Sequence, residues 1–350
     1  MGKVSVSGNK AYFRIYVQSE VAKIIRLFYT YPLNSTKQLN FQDFSKAFEI
    51  WTSSTRKSDE VRLKVQGFRN SMNSLRTNYE LPEGFQPRIS PYWLLGFVEG
   101  DGSFGIHRSR LSLEFDISQS NKDLFLMQEI KKYLNSFPGV VDGYYKNNIV
   151  TGLRENNFKN PEHKSVFKIY SGNQAFIRDL LIPFFNQMDW VSKKYLDFQD
   201  FISISQLKEK GFHYLDEGKE LIQLILSQMN NHRLSTSGSR EVDPLSRKEL
   251  YLKINGLLSS LSNYENIGGK RFIRSLNRYE FTGKTAGVVE VTNSLGSVIF
   301  SSESRAKCAK FLSVSERTVG RRIEDGKGLN LNGELVFIKN VSAENASDGQ

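Results

Sequence analysis

The sequence predicts an α+β protein assembled from αββαββα modules, with a small helix-turn-helix unit near its C-terminal end. Three observations predict it. Leu111, Leu113, Phe115 and Ile117 alternate with Ser112, Glu114, Asp116 and Ser118, the pattern of a strand buried on one face. A block recurs: Lys37-Gln38-Leu39-Asn40-Phe41-Gln42-Asp43-Phe44 returns as Lys194-Tyr195-Leu196-Asp197-Phe198-Gln199-Asp200-Phe201. Thirty-nine positions separate Lys37 from Arg76, and 39 again separate Lys194 from Arg233, so one module occurs twice with an offset of 157. From about Val288 the composition changes to short strand-like and helix-like segments.

Taken in order, Tyr12–Tyr16 alternates like a strand and leads into a helix over Ser19–Tyr31. A second helix opens at Lys37, and a third ends at Met72-Asn73-Ser74-Leu75-Arg76. In the second copy, a helix at Pro91–Asp101 precedes strands at Ser103–Arg108 and Leu111–Gln119. Ser120 and Asn121 cap a helix whose buried stripe is Leu124, Met127, Ile130 and Leu134. A hairpin follows with arms near Gly139–Lys146 and Ser165–Tyr170, and Asn147–Lys164 reads as its loop. Helices return at Asn173–Phe185, from Lys194, and at Ser246–Ser262.

The first copy lacks a counterpart of the Pro91–Asp101 helix. Asp101 lies 93 positions before Lys194, and 93 positions before Lys37 falls upstream of residue 1. The expected organisation is therefore a partial first module at 1–85 and a complete second module with a helical extension at 86–265. A basic linker at 266–287, the C-terminal unit at 288–340 and a disordered tail at 341–350 complete it.

The chain of 350 residues carries 48 Lys+Arg against 37 Asp+Glu, a net charge of +11. That balance favours a polyanionic partner. A single cysteine, Cys308, excludes an internal disulfide and a multi-cysteine zinc site, and the four histidines form no paired metal box. No stretch approaches the roughly 20 apolar residues of a membrane span. Neither a membrane nor a small-molecule substrate is expected as partner.

The most informative stretch is Pro91-Tyr92-Trp93-Leu94-Leu95-Gly96-Phe97-Val98-Glu99-Gly100-Asp101-Gly102-Ser103-Phe104. Gly96 and Gly100 are four apart and share a helical face, where another backbone can approach closely. Asp101 stands where the helix ends, before a glycine suited to the cap conformation. Leu94 to Gly102 resembles the LAGLIDADG motif of homing endonucleases and intron maturases, position by position. In that family two motif helices pack through their glycines, each presents one acid at the base of the interface, and each module's antiparallel sheet forms half a saddle over DNA.

The resemblance implies that Asp101 binds a divalent metal, with the Gly100 carbonyl as a second protein ligand. Oxygen ligands with retained waters suit Mg²⁺, which can activate water and stabilise a leaving 3′-oxygen. Lys194 matches a lysine near the scissile phosphate, where it would offset transition-state charge or polarise the attacking water. Lys37 is its repeat partner, and Gln119 matches a water-positioning glutamine; Glu99 reads as a capping residue. On the outer sheet face Arg14, Lys168, His107 and Arg108 are the expected DNA contacts. Glu114 and Asp116 share that face, where carboxylates either repel phosphate or accept from cytosine amino groups.

Ser304–Ile323 resembles the nuclease-associated modular helix-turn-helix repeats appended to homing nucleases. Ala306, Ala309, Leu312, Val314, Val319 and Ile323 have core spacing, and Arg317, Thr318, Arg321 and Arg322 would line the recognition helix. The implied function is hydrolysis of double-stranded DNA at a long intron-insertion-type site, in mitochondria by family habit. With one acidic motif, the chain as written is not expected to make efficient double-strand breaks. The rival reading is a splicing maturase that binds its host-intron RNA without cutting; fold alone does not choose between them.

Overall fold

A computed structural model describes residues 1–8, 10–107, 111–140, 150–156, 165–230, 244–280, 288–302 and 304–341. The chain divides into two units, residues 1–263 and 264–350. The tail beyond 341 and Arg108 lie outside the described residues.

In the first unit, β1 (Lys3–Ser7) and β2 (Lys10–Arg14) form an antiparallel hairpin with Lys3 opposite Arg14. Helices α1 (Gln18–Thr30), α2 (Lys37–Ser53) and α3 (Asp59–Asn70) follow. The next helix, α4, spans Pro91–Asp101. Proline is pre-organised for the first helical turn, and the Ser90 side chain accepts the Trp93 N–H as N-cap. Leu94, Leu95 and Val98 are buried, whereas Gly96 and Gly100 face outward with no atom within 4 Å of an added Cβ.

The chain leaves α4 straight into β3 (Gly102–His107). Gly102 does not adopt the left-handed cap that its position suggested; its φ of −82° and ψ of 159° are extended. Glycine is needed there for space, because a Cβ would lie 2.7 Å from the Val98 carbonyl oxygen. Strands β4 (Ser112–Ser120), β5 (Gly152–Asn156) and β6 (Val166–Ser171) complete an antiparallel sheet of order β3-β4-β6-β5. Leu113, Phe115 and Ile117 point inward as their alternation predicted.

Part of the second hairpin departs from the sequence reading. Among the described residues the strand paired with β6 on this side is Gly152–Asn156, inside the stretch read as loop, whereas most of the expected arm Gly139–Lys146 lies outside the described residues. Residues 141–149 lie outside the described residues. Gly-Leu-Arg-Glu-Asn has little apolar alternation, so its strand comes from pairing with β6 and not from a period of its own.

The sheet's inner face packs on α5 (Leu124–Asn135), which buries Leu126 in place of the expected Leu124, together with Met127, Ile130 and Leu134. Behind it lie α6 (Gln174–Phe176), a π-turn at Ile177–Leu181, α7 (Ile182–Asn186), α8 (Lys194–Glu209) and α9 (Asp216–Leu226). Phe104 is fully buried, with ring centroids 5.2–6.3 Å from Phe115, Phe185, Phe198 and Phe201. Truncating such a ring costs about 3–5 kcal/mol. Helix α10 (Pro244–Ser259) docks on α8 through Arg247 and Tyr251, which both reach the fully buried Asp200.

The second unit opens with β7 (Tyr264–Ile267), β8 (Lys270–Ile273) and β9 (Arg278–Tyr279). The basic stretch read as an irregular linker therefore contains a small sheet. Gly268 and Gly269, both at positive φ, make the turn between β7 and β8. These strands are short and mostly exposed, with only Ile273 buried, so they left no hydrophobic period to read. A four-stranded sheet follows from β10 (Val288–Asn293), β11 (Val298–Ser302), β12 (Leu329–Leu331) and β13 (Glu334–Val341), in the order β11-β10-β13-β12. Between its halves lie α11 (Arg305–Phe311) and α12 (Glu316–Asp325), N-capped by Ser304 and Ser315. Ala309, Leu312 and Val319 join this core; Cys308 takes the buried position expected of Ala306, which is exposed.

Candidate active site and nucleic-acid interface

The ends of α4, β4 and α8 meet at one place. Asp101, the last residue of α4, is exposed, and its Oδ2 accepts a hydrogen bond from Gln119 Nε2 at 3.2 Å. Gln119 lies near the end of β4, and its Oε1 accepts the Ser120 amide at 2.9 Å, which fixes the side-chain amide's direction. Lys194, the first residue of α8, donates from Nζ to the Gly102 carbonyl at 2.9 Å. A carboxylate, an amide and an ammonium thus converge on the α4–β3 junction.

Glu99 holds this arrangement from behind. Its Oε1 accepts the amides of Val191 and Ser192 at 3.0 and 2.7 Å, just before α8 begins. The start of α8, and Lys194 with it, is thereby tied to the last turn of α4.

Lys37 is exposed at the start of α2 and contacts none of these groups. The loop before it is anchored to the second module. Thr36 donates its amide to buried Asp123 Oδ1 at 2.7 Å, and the Asn34 side chain pairs twice with the Arg88 backbone at 2.8 and 2.9 Å.

Among the described residues, no three His, Cys, Asp or Glu side chains cluster tightly enough to hold a metal by themselves. What Asp101 offers is one exposed carboxylate beside the Gly100 carbonyl. Gly100 lies in the last turn of α4, where the final carbonyls have no partner further along the helix. One carboxylate and one carbonyl, with water and phosphate oxygens completing the shell, fit a hard cation that keeps much of its hydration.

The outer sheet face carries Ser103, His107, Glu114, Asp116, Lys168, Tyr170 and Arg154, as the register requires. Lys168 is directed to this face, yet its Nζ forms an ion pair with Asp116 at 3.0 Å. The pair neutralises one of the two carboxylates that would repel phosphate. Arg154, directly opposite Lys168, is an exposed cation that the sequence reading missed because its strand was taken for loop. Its guanidinium lies 4.8 Å from the Tyr170 ring centre. Arg14 stacks on Tyr12 at 4.4 Å in the N-terminal hairpin. On α12, Arg317 and Arg321 are exposed and Thr318 is half-buried. Arg322 is turned aside into an ion pair with Asp325.

A family model described as LAGLIDADG endonuclease matches residues 94–205. The chain is 24% identical over 219 residues to the uncharacterized mitochondrial protein RF1 of Saccharomyces cerevisiae, covering 61% of this chain and 45% of that one. It is 28% identical over 148 residues to the probable intron-encoded endonuclease Cox1-I1b of Schizosaccharomyces pombe, covering 41% and 38%. The chain thus spans less than half the length of these curated relatives. Among solved structures, meganuclease I-SmaMI bound to uncleavable DNA is similar at 25% identity and TM-score 0.55, over 67% of this chain and 79% of that one. The homing endonuclease I-GzeII in complex with its DNA target is similar at 26% identity and TM-score 0.54, over 66% and 80%. I-SmaMI has also been solved on an uncleaved DNA target in the presence of calcium ions. In its αββαββα order, in the acid at the tip of α4 and in the match over residues 94–205, this part of the chain is similar to the LAGLIDADG endonucleases.

Proposed function

We propose that the protein is a site-specific homing endonuclease of mitochondria, hydrolysing a phosphodiester of double-stranded DNA at the Asp101 site. The observation that carries the reading is the convergence of Asp101, Gln119 and Lys194 at the α4–β3 junction. DNA-bound structural neighbours and intron-encoded relatives support the same class of substrate.

Asp101 and the Gly100 carbonyl would hold a divalent cation, Mg²⁺ in the cell, which supplies a polarised water and charge stabilisation at the phosphate. Gln119 keeps the Asp101 carboxylate oriented and offers an amide to a reacting water. Lys194 brings a positive charge to the same place; when a phosphate arrives, its ammonium can exchange the Gly102 carbonyl for a phosphoryl oxygen. Such pre-positioned charge acts on the transition state without having to reorganise. Arg154, Arg14 and His107 would contact the duplex, with Arg317, Thr318 and Arg321 adding contacts from the second unit. Lys37 would serve a second phosphate.

The test begins by selecting bound molecules from a pooled random DNA duplex, then incubating the selected duplex with protein and Mg²⁺. Strand cleavage that stops with EDTA is expected. Tight binding of the flanking intron's RNA, with no cutting of any selected duplex, would favour the maturase instead.

A further inference from the structure

The second unit holds an open cavity of about 560 Å³ lined by Arg305, Glu316, Arg317, Thr318, Gly320, Arg321 and Glu324. Three guanidinium groups share this space. Arg305 comes from the start of α11, whereas Arg317 and Arg321 stand one turn apart on α12. None of the three forms an ion pair or hydrogen bond among the described residues, and all are exposed. Glu316 and Glu324 line the same cavity, yet neither comes within ion-pair reach of these arginines.

Three guanidinium groups against two carboxylates leave the cavity with an excess of positive charge, which is relieved by an anion that accepts from several forks at once. Gly320 keeps the floor between the helices open. A Cβ there would already be 3.7 Å from Arg305 Nη1, and any larger side chain would fill the gap. Planar guanidinium groups match phosphate oxygens in paired hydrogen bonds; a guanine edge can take one guanidinium in the same way, whereas a phosphate can accept from several at once.

We infer that this cavity is a clamp for one backbone phosphate of duplex DNA, with Arg305 as the residue that fixes it. The inference rests on the DNA-binding reading of this unit and deepens it. It assigns to α11 a sequence-independent contact that the pattern of the recognition helix did not reveal. A phosphate contact positions a protein on DNA without reading sequence, and its loss lowers the salt dependence of binding by a slope of about 0.9.

The experiment measures binding of the full chain to a pooled random DNA duplex by fluorescence anisotropy, between about 50 and about 200 mM salt. Wild type is compared with R305A, R305K, R317A and R321A. Unfolding midpoints are checked, although Arg305 is exposed and its truncation should leave the fold intact. The expected result for R305A is roughly tenfold weaker binding at low salt, the size of one charged hydrogen bond. Its salt slope should be shallower by about one contact and its sequence preference unchanged. R305K should keep the slope and regain part of the affinity. An R305A protein that binds as wild type does, while R317A or R321A weakens binding, would overturn the clamp alone. So would an altered sequence preference in R305A, which would make Arg305 a base contact. If all three alanine variants bind as wild type, the DNA-binding reading of the unit itself falls.

Discussion

Asn73 and Asn230 occupy equivalent positions 157 residues apart, and both adopt the left-handed backbone conformation, with φ of 56° and 53°. Each gives its amide to the side chain of the fourth residue of a module helix. Asn73 donates to Asn40 Oδ1 at 3.0 Å, and Asn230 to Asp197 Oδ1 at 2.9 Å. The sequence repeat is therefore also a repeat of backbone strain and of the bond that compensates it. In both copies this bond reaches the helix that begins with the module lysine, Lys37 or Lys194.

Asparagine tolerates this conformation better than other residues with a Cβ. Asn230→Ala should lower stability by about 1–2 kcal/mol from the backbone alone. It also loses the side-chain bond to the Phe104 carbonyl at 2.8 Å. Asn230→Gly removes the same bond but relieves the backbone, so it should fall between alanine and wild type. Chemical unfolding of the three proteins checks the order; equal losses for alanine and glycine would show that backbone strain contributes nothing.

Glu99 should matter to catalysis through α8. Glu99→Ala leaves two amides ahead of Lys194 without their acceptor, which should cost about 1–3 kcal/mol. It should also slow strand cleavage at saturating DNA while leaving binding nearly unchanged. Glu99→Gln keeps an acceptor oxygen and should lose less on both counts. Unfolding midpoints and single-turnover cleavage rates are the measurements.

His213, in the turn between α8 and α9, is held neutral to unusually low pH. Burial, reinforced by the nearby Lys208 charge, lowers its pKa from 6.5 to about 4. The unfolded chain binds a proton from about pH 6.5 downward, whereas the folded protein does not until about pH 4. Stability is therefore expected to fall as pH drops through that window and to level off beneath it. His213→Gln should flatten this part of the profile. An unchanged slope in the variant would assign the acid sensitivity to other groups.

The parts of the fold that the sequence disclosed are those with a strong period or an exact repeat. Leu113, Phe115 and Ile117 declared their strand by alternation, and the acid at the end of α4 stood out beside its glycines. Gln119 and Lys194 were identified by resemblance, and the structure brings both to the α4–β3 junction. The remainder was hidden for physical reasons. Strand β5 exists through its pairing with β6, so Arg154 could not be assigned to the outer face. The Lys168–Asp116 ion pair joins neighbouring strands that are distant in sequence. The role of Gly102 depends on the Val98 carbonyl directly behind it, a contact that composition does not report. Arg305 joins Arg317 and Arg321 only because α11 and α12 cross.

The role of Asp101 is tested most directly by strand cleavage of a selected duplex by wild type and Asp101→Asn. The asparagine keeps the side chain's size and an oxygen that can accept from Gln119, but it removes the negative charge that a divalent cation requires. With Mg²⁺ present, wild type is expected to cut a strand, and Asp101→Asn to bind the same duplex with little change in affinity yet cut at least about 100-fold more slowly, a barrier increase of about 2.7 kcal/mol. Cutting by Asp101→Asn at the wild-type rate would contradict that role.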